Sequence, residues 1–535
     1  MYIAPNSIIH ILRSVPLDNS YQHTIHFNST IEQANYFVGL KKYTLTEYSY
    51  IRKDNVLRVG LLADNLFDCN YIMFKNSAYG NRWFYAFITN VEYVNDNTAH
   101  ITYELDVMQT WYFDYTVQES FVEREHSVTD APGDNLIPDN LETGEYVSDD
   151  FDGTNKMGVY SIVVAATFDS GLDDVAGGTY SGIYSGLYYN VFDANDYSKV
   201  NTFINKAVTE NKSSGIVSVF MMPTAFVRER GQAAATLDIS KSKKTTGGIG
   251  NYKTVKNNKL YTYPYNFLYV TNLNGNGAAF PYEYFNSDTC DFGLAGDMSC
   301  NPQVFLYPKK YKGVEANYNE KMVMEGFPQC SYNTDAFKAW LAQNSLGTLF
   351  NVAGGAAAIG SASVASSIAG TSAATTAAIA AGTVSAGAAA FPFALVGGAL
   401  MIANQLSSVV THLTLPNQAN NTQGNSAMTA VGIKDFAFMH MHIRPEFAEI
   451  IDEYWNVYGY PCHRVKKPNI SSRRHWNYVK TIGVNITGSI PANDMTKIKS
   501  VYDNGVTFWR NGSEVGHYEL DNSVGTGRVN EVGKT

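Results

Sequence analysis

The sequence predicts a mainly β, multi-domain chain with some helix. Three observations carry that expectation. Aromatic residues make up 13% of the 535 positions, with 37 Tyr and 28 Phe, and such side chains favour pleated surfaces over helical bundles. Apolar and polar residues alternate with period two in segments such as His100 to Asp106, the pattern of a strand with one buried and one wetted face. Hydrophobic residues reach 45% against 16% charged, which excludes global disorder and leaves ample material for a core.

Taken in order, residues 1–150 predict an N-terminal β domain. Phe84 to Val94 is a continuous aromatic and β-branched run, Asn95-Asp96-Asn97 is turn chemistry, and His100 to Asp106 returns. Ile101, Tyr103 and Leu105 are expected on the core face, with His100, Thr102, Glu104 and Asp106 in water. Residues 131–150 carry two Pro and two Gly and predict a loop.

Residues 151–340 predict a second β-rich region. Ile216 to Met222 is a strand stopped by Pro223. Tyr261 to Asn272 is another, and Pro264 predicts an edge or a bulge. Lys241, Lys243 and Lys244 predict a mobile basic surface loop. Residues 421–535 predict a C-terminal β/α part that returns to the first domain. Phe436 to Ile443 is its first strand, with Phe436, Phe438, His440 and His442 on one face, and Pro445 to Trp455 is a short helix. Pro491 opens a second helix, Met495, Ile498 and Val501 share its face, and Gly505 closes it. Gly525 to Thr535 are expected to be loose.

Between these regions the composition changes abruptly. No Asp, Glu, Lys or Arg occurs from Ala339 to Ile433, and Gly347 to Ala403 holds 20 Ala and 9 Gly. A linker would be polar, and a core hairpin would have a wetted outer face. The stretch Ala373 to Phe391 and the stretch Phe393 to Val410 each approach the ~20 apolar residues that span a bilayer. Their hydrophobicity is modest, because Ala, Gly, Ser and Thr dominate. Ala378 with Gly382, and Ala394 with Gly398, have the small-xxx-small spacing that lets helices approach closely in lipid. A long Ala/Gly-rich apolar loop over 341–420 is therefore expected either to insert into a membrane or to be shielded inside an assembly. A linker would have no need of Ile359, Ile368, Ile379, Phe391, Phe393, Leu395, Leu400 and Ile402.

Signals for catalysis or cofactors are poor, and no catalytic residue, metal or cofactor is expected. There is no GxSxG, HExxH or P-loop. His440 with His442, and His23 with His26, lack acidic or Cys partners at ligand spacing. Glu123-Arg124-Glu125-His126 reads as structural ion pairing or an intersubunit contact, and Arg473-Arg474-His475 beside Trp476 as an ion-pairing surface. Five scattered cysteines without CxxC spacing exclude a disulfide framework or zinc module and predict folding in a reducing cytosol. The net charge of −10 opposes broad phosphate binding.

The run Val91 to Asn97, then Tyr103 to Thr110 and Ser120 to His126, resembles the tail knob proteins of small short-tailed phages of the Picovirinae type. So do Tyr263-Pro264-Tyr265-Asn266-Phe267-Leu268, Phe327 to Ser331, and Lys338-Ala339-Trp340-Leu341-Ala342-Gln343-Asn344 ahead of the apolar segment. Tyr458-Gly459-Tyr460, Pro468, Arg473, Trp476 to Val479 and Phe508-Trp509 extend the resemblance to about 90–510. The resemblance implies a homo-oligomer, a hexameric tube at the distal end of a short virion tail, attached to an upstream tail or lower collar protein. Genome DNA would pass through its lumen without sequence-specific binding. The apolar loops would first plug the channel and then penetrate the host cytoplasmic membrane as a pore, with Ile359, Ile368, Ile379, Phe391, Phe393, Leu395, Leu400 and Ile402 as the membrane-penetrating residues.

Two other readings remain open at this level. One is a distal tail protein that binds a cell-wall polymer without membrane activity, its Tyr and Trp stacking on sugars. The other is a wall hydrolase with Glu123 or Glu125 as acid.

Overall fold

The hairpin expected from the alternation forms, as strands Phe84–Asn95 and Thr98–Leu105. It lies within a computed structural model that describes residues 6–48, 55–154, 157, 160–168, 179–181, 187–193, 197–227, 236–273, 275–299, 301–325, 327, 329–331 and 435–525. Ile101 and Tyr103 are buried as expected. Asp106 is not in water: it is buried as the N-cap of the short helix Val107–Thr110, and its side chain accepts from the Gln109 amide. Burial raises its carboxyl to about 6. Capping the helix keeps this side chain inside even though the strand alternation points it outward.

The chain divides into two units. The first comprises Met1–Gly144, Asn251–Leu260 and Pro445–Thr535. Its six-stranded antiparallel sheet runs in the order Lys41–Tyr48, Ser7–Arg13, Cys69–Lys75, Phe84–Asn95, Thr98–Leu105, Val56–Val59. A second sheet runs His23–Ile25, Val506–Trp509, Trp476–Ile482, Ser120–Glu125, Tyr460–Lys466. Its first pair is parallel and joins the two ends of the chain, His23 opposite Thr507 and Ile25 opposite Trp509. Phe37, Tyr71, Ile101, Val479 and Phe508 belong to one core.

Helix Thr30–Gly39 starts at Ser29, whose hydroxyl accepts from the Glu32 amide, while Glu32 accepts from the Asn28 amide. Helix Ala492–Asn504 enters through Pro491 and ends at Gly505, as its sequence predicts. Gly505 has φ +95°, and a Cβ there would fall 2.1 Å from the Tyr478 hydroxyl. The ten residues 251–260 join this unit through Asp452 of helix Pro445–Tyr458. Its buried carboxylate accepts from the Lys256 and Asn257 amides at 2.7 and 2.9 Å and from the Tyr252 hydroxyl at 2.7 Å.

The second unit comprises Glu145–Gly250 and Tyr261–Arg444 and holds three five-stranded sheets. One runs Thr179–Ser181, Tyr188–Asp193, Tyr160–Ala166, Ile216–Pro223, Gln329–Ser331. Another contains Thr236–Ser242, Thr289–Asp297, Gln303–Tyr311 and Val314–Ala316, with Met322–Met324 on Gln303–Tyr311. The third runs Tyr146–Ser148, Ala437–Ile443, Asn266–Thr271, Gly277–Phe280, with Asp152–Gly153 also on Ala437–Ile443. Ile162, Phe220, Leu268, Phe292, Leu306 and Phe438 share its core.

Two expectations change here. Pro264 precedes its strand instead of interrupting it, and Asn266–Thr271 is an interior strand paired on both sides. Lys241 to Lys244 are not a mobile loop. Lys241 lies in a strand and pairs with Asp152, Lys243 donates to the Phe285 carbonyl at 2.8 Å, and Lys244 faces Asp150 at 3.3 Å. The acidic partners of the basic run are Asp150, inside the expected loop 131–150, and Asp152, just past it. Among the described residues no helix is long and apolar enough to cross a membrane.

Candidate functional site

The apolar segment 341–420 and its eight candidate residues, Ile359, Ile368, Ile379, Phe391, Phe393, Leu395, Leu400 and Ile402, lie outside the described residues. Its two flanking strands are both in the second unit. The entering strand, Gln329–Ser331, is three residues long and, among the described residues, forms the edge of its sheet, with Gln329, Cys330 and Ser331 opposite Phe220, Val219 and Ser218.

The leaving strand, Ala437–Ile443, is interior. Asn266–Thr271 pairs along one side, and Tyr146–Ser148 and Asp152–Gly153 pair along the other. Between those two short pairings, Asp150 accepts the His440 amide at 3.1 Å and the Asp149 amide donates to the His440 carbonyl at 3.2 Å. Thr154 fixes the entry to the strand: its amide donates to the Phe436 carbonyl and its hydroxyl to Asp435. Phe438 is buried against Phe292, with ring centroids 5.3 Å apart, and Lys241 Nζ lies 4.9 Å from its ring centre.

The two strand histidines are held by this frame. The Tyr282 hydroxyl lies 2.5 Å from His440 Nδ1, and Asp150 is 3.8 Å from Nε2. Burial lowers the His440 pKa, partly opposed by Asp150. His442 places Nδ1 2.6 Å from its neighbour's carbonyl, that of Ile443, and Nε2 2.9 Å from Asp149. Among the described residues no group of three or more His, Cys, Asp or Glu is arranged to hold a metal ion. Sequence reasoning missed the acidic clamp Asp149, Asp150 and Asp152. Its signal was the acidic run at 149–152 set against the basic run at 241–244.

In the first unit, Glu123 pairs with Lys480, Arg124 Nη2 donates to both Asp139 carboxylate oxygens at 2.6 Å, and Glu125 pairs with Lys466. His126 is fully buried. It accepts the Tyr478 amide at Nδ1 and donates from Nε2 to the Asn456 carbonyl. Burial, with Arg473 adding to it, lowers its pKa to about 3. All four side chains are thus committed to packing and pairing. His23 and His26 do not converge: the first meets Trp509 and the second the Tyr112 hydroxyl. Arg474 and His475 do pair at the surface side, with Asp521 and Glu514. Arg473 and Trp476 are instead buried, and Arg473 lies 3.9 Å from Asp130.

Residues 227–523 match the family described as Bacillus phage phi29 tail knob protein gp9, C-terminal domain. That match covers more than half of the chain. The chain belongs to the phi29 gp9 tail knob family. Residues 5–116 match the Caudoviral major tail protein N-terminus. The tail knob protein gp9 of Bacillus phage PZA is 25% identical over 609 aligned positions, covering 96% of this chain and 98% of that protein. The phi29 tail knob protein gp9 is likewise 25% identical, with the same coverage. The solved tail knob protein gp12 of bacteriophage C1 shares the fold, with TM-score 0.60 at 16% identity, covering 96% of this chain and 99% of that one. This is therefore a structural tail knob protein of a phage, a virion component at the tail.

Proposed function

We propose that this tail knob protein forms a closed hexameric tube, the distal part of the DNA-ejection channel, attached to an upstream tail or lower collar protein. Its apolar segments plug the channel and then penetrate the host cytoplasmic membrane as a pore. The observation that carries this reading is the absence of any charged residue from Ala339 to Ile433, in a chain of the tail knob family. A segment of that length without charge is shielded either inside an assembly or in lipid. Ile359, Ile368, Ile379, Phe391, Phe393, Leu395, Leu400 and Ile402 supply the inserting area.

Physical arguments support the rest of the reading. Six copies carry a formal charge of about −60, and a neutral or acidic lumen lets DNA slide without adhering. Ring closure gives sheet edges a partner. Six segments at one mouth act together, so modest insertion energies suffice. The test is electron microscopy of the purified chain followed by dye release from liposomes. Six-fold rings that release dye, and a 347–411 deletion that keeps the rings and spares the liposomes, are expected. Monomers that leave liposomes intact at every pH would end the proposal.

A further inference from the structure

The first unit carries an open groove of about 510 Å³ between helix Thr30–Gly39, the turn Asn81–Trp83 and residues 110–114. That volume is in the range of small-ligand sites. Two apolar side chains stand exposed at its walls, Ile31 at 72% and Phe113 at 40%. Among the described residues, Arg82 and Asp114 are the only charged side chains that line it. They neutralise each other: Arg82 Nη1 donates to Asp114 Oδ1 at 2.9 Å and Nη2 to Oδ2, while the guanidinium rests on Trp111, 4.3 Å from the ring centre. A charged ligand, of either sign, meets no unpaired opposite charge here.

The polar groups left over are amides. Asn35 and Asn81 are exposed, line the groove, and their side chains make no hydrogen bond with the described residues. Asn81 is held at φ +57°, a left-handed position that asparagine tolerates. Each side-chain amide offers a donor and an acceptor side by side. That pair matches two neighbouring hydroxyls, and Ile31 and Phe113 match the C–H face of the same ring. An apolar peptide side chain would fill the walls but make no use of the two amides.

We infer that this groove binds a neutral sugar residue of a glycan, through the Asn35 and Asn81 amides and the Phe113 ring. The site is independent of the apolar segment and of pore formation. It gives the tail a carbohydrate contact of low affinity per subunit, which repetition around an assembly would strengthen.

Saturation-transfer NMR on the full chain tests it, with maltose, lactose and N,N′-diacetylchitobiose as probes at millimolar concentration. At least one sugar is expected to bind with Kd near about 1 mM. The double variant Asn35→Ala/Asn81→Ala, and separately Phe113→Ala, should each weaken that binding about tenfold with unchanged melting temperature and particle size. No saturation with any of the three sugars overturns the inference. Undiminished saturation in both variants overturns it too. A change of particle size in the variants reassigns the groove to contact between copies of the chain.

Discussion

The two strands that flank the apolar segment are held very differently. Among the described residues, the entering strand Gln329–Ser331 has three residues and one neighbour. The leaving strand Ala437–Ile443 has seven residues, partners on both sides, a buried Phe438 and an acidic clamp from 149–152. An edge strand gives up ladder bonds on one side only and can re-form them with water. An interior strand must give up both sides and its buried side chains together. The asymmetry teaches that the two ends of the segment are not equivalent anchors: strain at the segment is expected to open the entering side first.

The largest way to break this comparison is Phe438→Ala. The side chain is 1% exposed, and its loss should cost about 3–5 kcal/mol, seen as a lower denaturation midpoint. A loss under 1 kcal/mol would mean that the leaving strand is not the stronger anchor.

Proline sharpens the contrast at the backbone. Met439→Pro interrupts a strand paired on both sides and should cost about 3 kcal/mol, whereas Cys330→Pro at the edge should cost about 1 kcal/mol or less. Equal shifts in the urea midpoint would erase the asymmetry.

The smallest effect is in pH. The folded pKa of His440 lies below its ordinary value of 6.5. The unfolded chain therefore takes up the proton first, and the stability contributed by the neutral ring is lost as pH falls below 6.5. Asp149 and Asp150 oppose this shift, while Lys241 and Lys244 reinforce it. Between pH 7.5 and 5.5 the wild type should lose more stability than His440→Asn. Parallel curves would remove His440 from the account.

Local pattern was legible where it decides the structure. The Phe84–Leu105 hairpin follows from alternation and a turn, and helix Ala492–Asn504 from its entering proline and closing glycine. The leaving strand and its histidine face were legible for the same reason. What was not legible depends on partners far away in sequence. Nothing near Lys241 announces Asp152, and nothing near residues 251–260 announces Asp452. Asp106 misled because a strand rule was applied one residue past the strand, where capping takes over. The eight residues assigned to membrane insertion rest on composition and resemblance, since pattern says only that the segment lacks charge.

The parallel pairing of His23–Ile25 with Val506–Trp509 sets an order on biosynthesis. Strand Ser120–Glu125 also waits for Trp476–Ile482 before its sheet can close. At roughly 5–20 residues per second, that wait lasts on the order of tens of seconds on the ribosome. The uncharged stretch from Ala339 to Ile433 leaves the exit tunnel during it, ahead of the strands that complete the first unit. A stretch richer in Leu and Ile would expose more apolar area to chaperones during that wait; the Ala-rich composition keeps that exposure small while the last strands are made.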